Sequence, residues 1–358
     1  MHKRVLIMAG GTGGHIYPAL AVAAYLRQND VALAWLGSRR GMENRIVPMH
    51  GIEIAKITIT GLRGRGWLAH VLAPLTLLVA TVQAIVAICR IQPGIVLGMG
   101  GFVSGPGGLA AWLCRKPLII HEQNAIAGLT NRLLSRIASA VLAGYPSSFA
   151  SICAARFTGN PVRSAITDLP APGARAQQHQ VLRVLIIGGS LGAHSLNTHV
   201  PAVLGRLAVN HAVEVWHQCG TRDVATTEAA YVGANLTARV DSFIEEMAVA
   251  YAWADIVICR AGAITVAELA AVGVASILVP FPYAADDHQS ANAQYLADHQ
   301  AAIVVSDRDL ATDKLYTALE LLANERSRIL AMASQARDCA RGDAAATVGN
   351  ICLEFLHA

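Results

Sequence analysis

The chain has 358 residues, more than half of them apolar and 15% charged, which excludes a disordered chain and leaves room for two domains. A net charge of +4 without a long Lys/Arg run gives no sign of nucleic-acid binding. Seven scattered cysteines, none in CxxC or Cys/His metal-ligand spacing, point to reduced thiols in a cytosol and away from a structural zinc.

Met1-His2-Lys3-Arg4 precedes the apolar run Val5–Ala9. That run is too short for a signal peptide and ends in glycines, so it reads as a first buried strand. The loop Gly10–Gly14 then places free N–H groups at the start of a helix expected over Pro18–Arg27, an arrangement suited to a phosphate, with Thr12, Gly13 and Gly14 in contact. His15 opens that helix, where an imidazole can act as a general base; an N-terminal hydrogen-bonding role is the plainer alternative. Strands follow at Val31–Leu36 and Ile54–Ile59.

Leu62-Arg63-Gly64-Arg65-Gly66-Trp67 leads into Val71–Cys89, which carries no charge. Its length permits a membrane span, but Pro74, Gln83 and its place inside a βα series favour a helix covering one sheet face. The outer side of such a helix suits lipid, and Arg63, Arg65, His70 and Arg90 suit anionic headgroups. A buried crossover helix is the alternative.

Ile95–Leu97, Leu118–Ile120 and Val141–Ala143 read as short strands. Between them lies a second glycine-dense turn, Gly98–Gly108, whose backbone can approach a phosphate closely. Glu122 and Asn124, in His121-Glu122-Gln123-Asn124, sit just past a strand end and suit sugar hydroxyls; Glu122 is a rival base to His15.

Pro161 and the aperiodic stretch Pro170–Gln180 mark a boundary. We expect an N-terminal domain over 1–160, a second over 161–340, and a final helix over 341–358 packing back on the first. Val184–His194 repeats Val5–His15, with identity at Val5/Val184, Leu6/Leu185, Ile7/Ile186, Gly10/Gly189, Gly13/Gly192 and His15/His194. The repeat suggests two Rossmann-like domains in tandem. Gly188-Gly189-Ser190-Leu191-Gly192 also matches the G-x-S-x-G hydrolase elbow. No acidic and histidine partners are identifiable downstream, which favours Ser190 as a hydroxyl donor to a phosphate.

Further strands are expected near Val213, Thr237, Ile256, Ala275 and Ala301, with helical periodicity over Asp309–Arg341 and Ala344–Leu356. Asp255–Cys259 enters a helix, Ala263–Ala271, through Arg260-Ala261-Gly262. The first N–H groups of that helix and its dipole favour an anion, and Glu268 can accept hydrogen bonds from a diol such as ribose. An anion cradle beside a diol acceptor fits a nucleotide diphosphate, although an ordinary βα turn has the same spacing. Neither G-x-G-x-x-G nor a Walker A sequence occurs. The expected class is α/β, with two doubly wound parallel sheets and ligands beyond the carboxyl ends of their strands.

Taken together, Gly10-Gly11-Thr12-Gly13-Gly14-His15, Gly98–Gly108, His121–Asn124, Gly159-Asn160-Pro161-Val162-Arg163, Gly188–Ala193 and Asp255–Gln289 resemble glycosyltransferase family 28, enzymes of the B-type fold. The motifs occur in the family's order and cover nearly the whole chain. The resemblance implies inverting transfer of N-acetylglucosamine from UDP-N-acetylglucosamine to the 4-hydroxyl of undecaprenyl-diphospho-N-acetylmuramoyl-pentapeptide (lipid I to lipid II), in peptidoglycan synthesis.

By that resemblance the carboxyl-terminal half holds the sugar nucleotide, with a cleft between the halves. Glu268 would meet the ribose, the backbone near Ile244 the uracil, and Arg163 the nucleotide pocket. Ser190 and the helix start at Ala263, Ile264, Thr265, Val266 and Ala267 would face the diphosphate, and Gln289 and Asn124 the sugar. His288 stands where some relatives carry a second glutamine. No cofactor and no metal are implied. The implied partners are UDP-N-acetylglucosamine, lipid I, anionic lipids and other cell-wall synthesis proteins, at the cytoplasmic face of the inner membrane. Rival readings are another UDP-sugar transferase, a UDP-N-acetylglucosamine 2-epimerase, an esterase using Ser190 and a catalytically silent membrane subunit.

Overall fold

The computed structural model describes residues 4–59, 73–149, 152–175, 181–189 and 192–357. Ser190, Arg63, Arg65 and His70 lie outside the described residues. The chain divides into two compact units, Met1–Arg163 with Arg341–Ala358, and Ser164–Ala340.

The first unit holds β1 (Arg4–Met8), β2 (Ala32–Ser38), β3 (Glu53–Ile57), β4 (Ile95–Gly98), β5 (Leu118–Glu122), β6 (Ala140–Ala143) and β7 (Arg156–Phe157). They pair in the order β3-β2-β1-β4-β5-β6-β7, all in parallel. A parallel sheet needs both faces covered, and the residues of β1 show how. Val5 and Ile7 enter one apolar core with Leu20, Leu26, Val348 and Ile351 of the helices Gly13–Gln28 and Ala344–His357. Leu6 and Met8 point the other way, into a core with Ala80, Ala84 and Ile88 of Ala73–Ile91 and Ala110 of Ser104–Leu113. Each such aliphatic side chain, fully buried, contributes roughly 1.5–3 kcal/mol.

Helix Ala73–Ile91 is therefore two-sided. Ala80, Thr81, Ala84 and Ile88 are buried, whereas Leu75, Leu78, Val82 and Val86 are exposed. It is long and apolar enough to cross a membrane, yet its small-residue stripe is committed to the sheet.

The second unit repeats the plan with β8 (Leu182–Ile187), β9 (Val213–Gln218), β10 (Arg239–Asp241), β11 (Ile256–Cys259), β12 (Ala275–Leu278) and β13 (Ala302–Val304). Their order is β10-β9-β8-β11-β12-β13, again parallel. In both sheets the strand order reverses beside the first strand. The turns after β1 and β4, and after β8 and β11, thus flank the crevice where such sheets bind ligands. Those four turns include the glycine turns singled out in the sequence.

Several elements differ from expectation: the second glycine-dense turn ends before Ser104, because Ser104–Leu113 is already helical, and the two-residue strand β7 was not anticipated. The first helix begins at Gly13 rather than Pro18, because Thr12 O accepts from the His15 and Ile16 amides. Helix Glu43–Met49 was not anticipated; it is short and carries Pro48, so its apolar periodicity is weak.

Candidate active site

In the first unit three separated segments meet at the head of helix Gly13–Gln28. Gly101 has φ +83°, and a Cβ there would overlap the Gly10 carbonyl, so the two glycine turns pack backbone to backbone. Gly100 lies against the His15 imidazole and the Gln123 amide, where a Cβ would overlap Nδ1. His15 Nδ1 is 3.0 Å from Gln123 Oε1. Gln123 Nε2 is 3.2 Å from both His121 Nδ1 and the His121 carbonyl oxygen, and His121 Nε2 is 2.9 Å from Gly159 O. Burial pushes His121 down to about 4, against the Gly159 carbonyl and Glu122.

The rival base, Glu122, is buried and fully engaged. Its carboxylate accepts from the Asn124 amide at 3.0 Å, Asn124 Nδ2 at 3.1 Å, the Gly128 amide at 3.1 Å and Asn131 Nδ2 at 2.8 Å. This geometry shapes the loop 123–128. Thr12 and Gly14 are exposed and Gly13 half-buried at the helix start, which no side chain caps. The Arg163 guanidinium stacks on the Tyr17 ring of the same helix, 4.8 Å from its centroid.

A residue the sequence reading missed supports the first glycine turn. Glu43 is fully buried; Oε2 accepts from the Gly11 amide at 3.0 Å, and Oε1 from the Ser38 amide at 2.8 Å and hydroxyl at 2.7 Å. A Cβ at Gly10, Gly37 or Gly41 would overlap its side chain, so these glycines make its pocket.

In the second unit, Gly192 has φ +78° and abuts the Cys219 carbonyl, where a Cβ would not fit. Gln218, at the end of β9, donates to Gly189 O at 2.9 Å and accepts from the Ile244 amide at 3.2 Å. It ties the glycine turn to the segment expected to meet the uracil. Arg260, at the end of β11, donates to Val279 O at 3.1 Å, to Pro280 O at 3.3 Å and to Ser195 Oγ at 2.6 Å, and pairs with Asp307 at 2.6 Å. Burial alone would raise Asp307, but the Ser195 hydroxyl and the Arg260 guanidinium hold its carboxyl below the ordinary range. One guanidinium thereby registers the exits of β8, β11, β12 and β13.

Helix Ala263–Val272 starts after Gly262 in extended backbone, without a side-chain cap and without acid in its first turn. Ala263, Ile264 and Val266 are buried, Thr265 and Ala267 half-buried. Asn292 Nδ2 holds the Ala261 carbonyl at 3.1 Å, fixing the turn. Such an end presents main-chain amides and a positive dipole to an anion. Glu268 is 7% exposed, and its Oε2 accepts from the Tyr251 hydroxyl at 3.0 Å. Gln289 Oε1 accepts from the Phe281 amide at 2.9 Å.

The sequence candidates thus fall in two groups: Thr12, Gly13, Gly14, His15, Glu122, Asn124 and Arg163 in the first unit, and Ile244, Ala263–Glu268 and Gln289 in the second. Gln123, Glu43, Gln218 and Arg260 were not singled out. Gln123 left a trace as an inner member of the His121–Asn124 motif, and Arg260 as the first residue of the turn Arg260-Ala261-Gly262.

Two Rossmann-like parallel-sheet units, each with glycine turns at its switch point, define the class: a glycosyltransferase of the B type. The chain belongs to glycosyltransferase family 28, whose N-terminal domain matches residues 5–143 and whose C-terminal domain matches residues 183–348. It is 51% identical over 358 residues to the UDP-N-acetylglucosamine–N-acetylmuramyl-(pentapeptide) pyrophosphoryl-undecaprenol N-acetylglucosamine transferase of Alkalilimnicola ehrlichii, covering 99% of each chain. Identity to the Marinobacter nauticus protein of the same name is 50% over 353 residues, 98% of this chain and 97% of that one. Among solved structures, Acinetobacter baumannii MurG superposes with a TM-score of 0.84 at 41% identity, covering 98% of this chain and 99% of that one.

Proposed function

We propose that this chain transfers N-acetylglucosamine from UDP-N-acetylglucosamine to the 4-hydroxyl of undecaprenyl-diphospho-N-acetylmuramoyl-pentapeptide, with inversion. The observation that carries the reading is the half-identity, over nearly the full length, to transferases of that name. The acceptor oxygen attacks the anomeric carbon, the carbon–oxygen bond to UDP breaks, and the hydroxyl proton passes to a base. His15 takes that role in preference to Glu122, whose carboxylate is already occupied by the four amide donors that shape its loop. Charge on the departing diphosphate is met by the amides at the start of Ala263–Val272 and by the turn Gly188–Gly192, and the proposal calls on no metal ion. Glu268 receives the ribose and Gln289 the sugar.

The exposed side of Ala73–Ile91, with the exposed Trp112 and Leu113 on the packed neighbouring helix, suits the surface of a membrane holding the acceptor. The reading therefore places the protein peripherally at the cytoplasmic face of the inner membrane, in contact with anionic lipids. The test is incubation with labelled UDP-N-acetylglucosamine and the lipid acceptor. UDP release only when both are present is expected. Accumulation of UDP-N-acetylmannosamine without acceptor would give the reaction to an epimerase instead.

A further inference from the structure

The hydrogen bonds around His15 fix more than its position. A backbone carbonyl can only accept, so the two carbonyls in the chain His15–Gln123–His121–Gly159 orient every proton along it. Gly159 O requires Nε2–H on His121, at 2.9 Å. A neutral His121 then presents a lone pair at Nδ1. The His121 carbonyl requires the amide nitrogen of Gln123 at 3.2 Å, and that same nitrogen serves His121 Nδ1. The opposite end of the amide is consequently its oxygen, 3.0 Å from His15 Nδ1. An amide oxygen accepts only, so Nδ1 of His15 must carry the hydrogen.

The assignment is held by burial. His121 is fully buried and Gln123 is 1% exposed, so water does not offer either group a reversed set of partners. The lowered basicity of His121 keeps it neutral near pH 7, with its Nδ1 lone pair in place. Asn160 Nδ2 donates to the Gln123 carbonyl at 2.9 Å and anchors the backbone beneath. Gly100 closes the other side of the His15–Gln123 contact, and any larger residue would force the pair apart.

We infer that Gln123, itself oriented by His121 and the His121 and Gly159 carbonyls, is a positioning residue that locks His15 as the Nδ1–H tautomer and leaves the Nε2 lone pair to receive the acceptor proton. Among the described residues Nε2 has no hydrogen-bond partner. As the sugar bond forms, the acceptor hydroxyl proton moves to Nε2, and the imidazolium keeps its Nδ1–H bond to Gln123 Oε1, now charge-assisted. The arrangement parallels the acid that orients histidine in serine hydrolases, but with a neutral amide that sets the tautomer without adding a negative charge. The inference deepens the reading of His15 as base and rests on it for its catalytic half.

The experiment is nitrogen-15 NMR of the histidine rings in the full-length protein at pH 8, with His15 assigned from the spectrum of His15→Gln. His15 is expected as Nδ1–H with an unprotonated Nε2. In Gln123→Leu the tautomers should mix, and kcat should fall by about 10²–10⁴-fold. KM for UDP-N-acetylglucosamine should stay within about twofold, a split that general loss of structure would not produce. An Nε2–H tautomer in the unaltered protein would overturn the inference, and that spectrum decides even if Gln123→Leu does not fold. Mixed tautomers with unchanged kcat would overturn its catalytic half. Retained turnover in His15→Ala would instead remove the base reading while leaving the tautomer result standing.

Discussion

Replacing Glu43 should loosen the first glycine turn in a way that can be read amide by amide. The carboxylate accepts from Gly11 N through Oε2, and from Ser38 N and Oγ through Oε1, in a pocket closed to water. Glu43→Ala strands the two backbone N–H groups; the Ser38 hydroxyl can turn elsewhere. Each stranded donor costs about 1–3 kcal/mol, so local opening becomes easier by roughly 3 kcal/mol. At about 1.4 kcal/mol per tenfold, amide exchange at Gly11 and Ser38 should accelerate about 10²-fold. Glu43→Gln is the sharper variant. Its oxygen can keep both Ser38 bonds, but its NH₂ then faces the Gly11 N–H, donor against donor. Gly11 exchange should rise about 10–100-fold while Ser38 rises much less. Hydrogen exchange read by mass spectrometry on short peptides spanning each amide measures this directly. Undiminished protection in Glu43→Ala, or equal acceleration at both amides in Glu43→Gln, would refute the account.

Acid should weaken both units. Burial pushes His121 down to about 4 and His217 to about 3, from an ordinary value of 6.5. The unfolded chain takes up each proton near pH 6.5 and the native one only far lower, so stability is intact above that value and lost as pH falls from it toward 4 for His121 and toward 3 for His217. Each histidine contributes on the order of 3–5 kcal/mol to that loss; urea midpoints followed for each unit by hydrogen exchange should drop between pH 7.5 and 5, and a flat profile would contradict the burial argument. Glu268→Ala removes the partner of the Tyr251 hydroxyl and the group assigned to the ribose, so the Kd for UDP-N-acetylglucosamine by calorimetry should rise at least about tenfold; unchanged affinity would take Glu268 off the ribose. Leu78→Glu with Val82→Glu, both exposed on Ala73–Ile91, should cut co-sedimentation with anionic vesicles by about tenfold or more without lowering thermal stability. Binding that persists would place the lipid contact elsewhere.

Much of the fold could be read from local pattern. The repeat of Val5–His15 at Val184–His194 marks β1 and β8 with the turns that follow them. The apolar runs at Ile95–Leu97, Leu118–Ile120 and Ile256 lie in strands of the two sheets. Such features are legible because strand burial and turn conformation depend on neighbouring residues: a run with both faces covered is apolar throughout, and a backbone at positive φ calls for glycine. The two-residue strand β7 and the Pro48-bearing helix were not legible, since neither is long enough to show a period.

Partners were decided only by the folded chain. Gln123 and His15 are 108 positions apart, and no spacing rule connects them. Glu122 and Glu43 are both carboxylates near glycine-rich segments, yet the chain surrounds both with amide donors and directs neither to solvent. The residues alone determined most of the strands and the glycine turns that follow β1 and β8, because those choices are settled within a few neighbours. Which polar group meets which, and therefore which histidine nitrogen keeps its lone pair, was settled by tertiary packing. Buried donors and acceptors must be matched across the sheet by whatever distant segment the topology brings beside them.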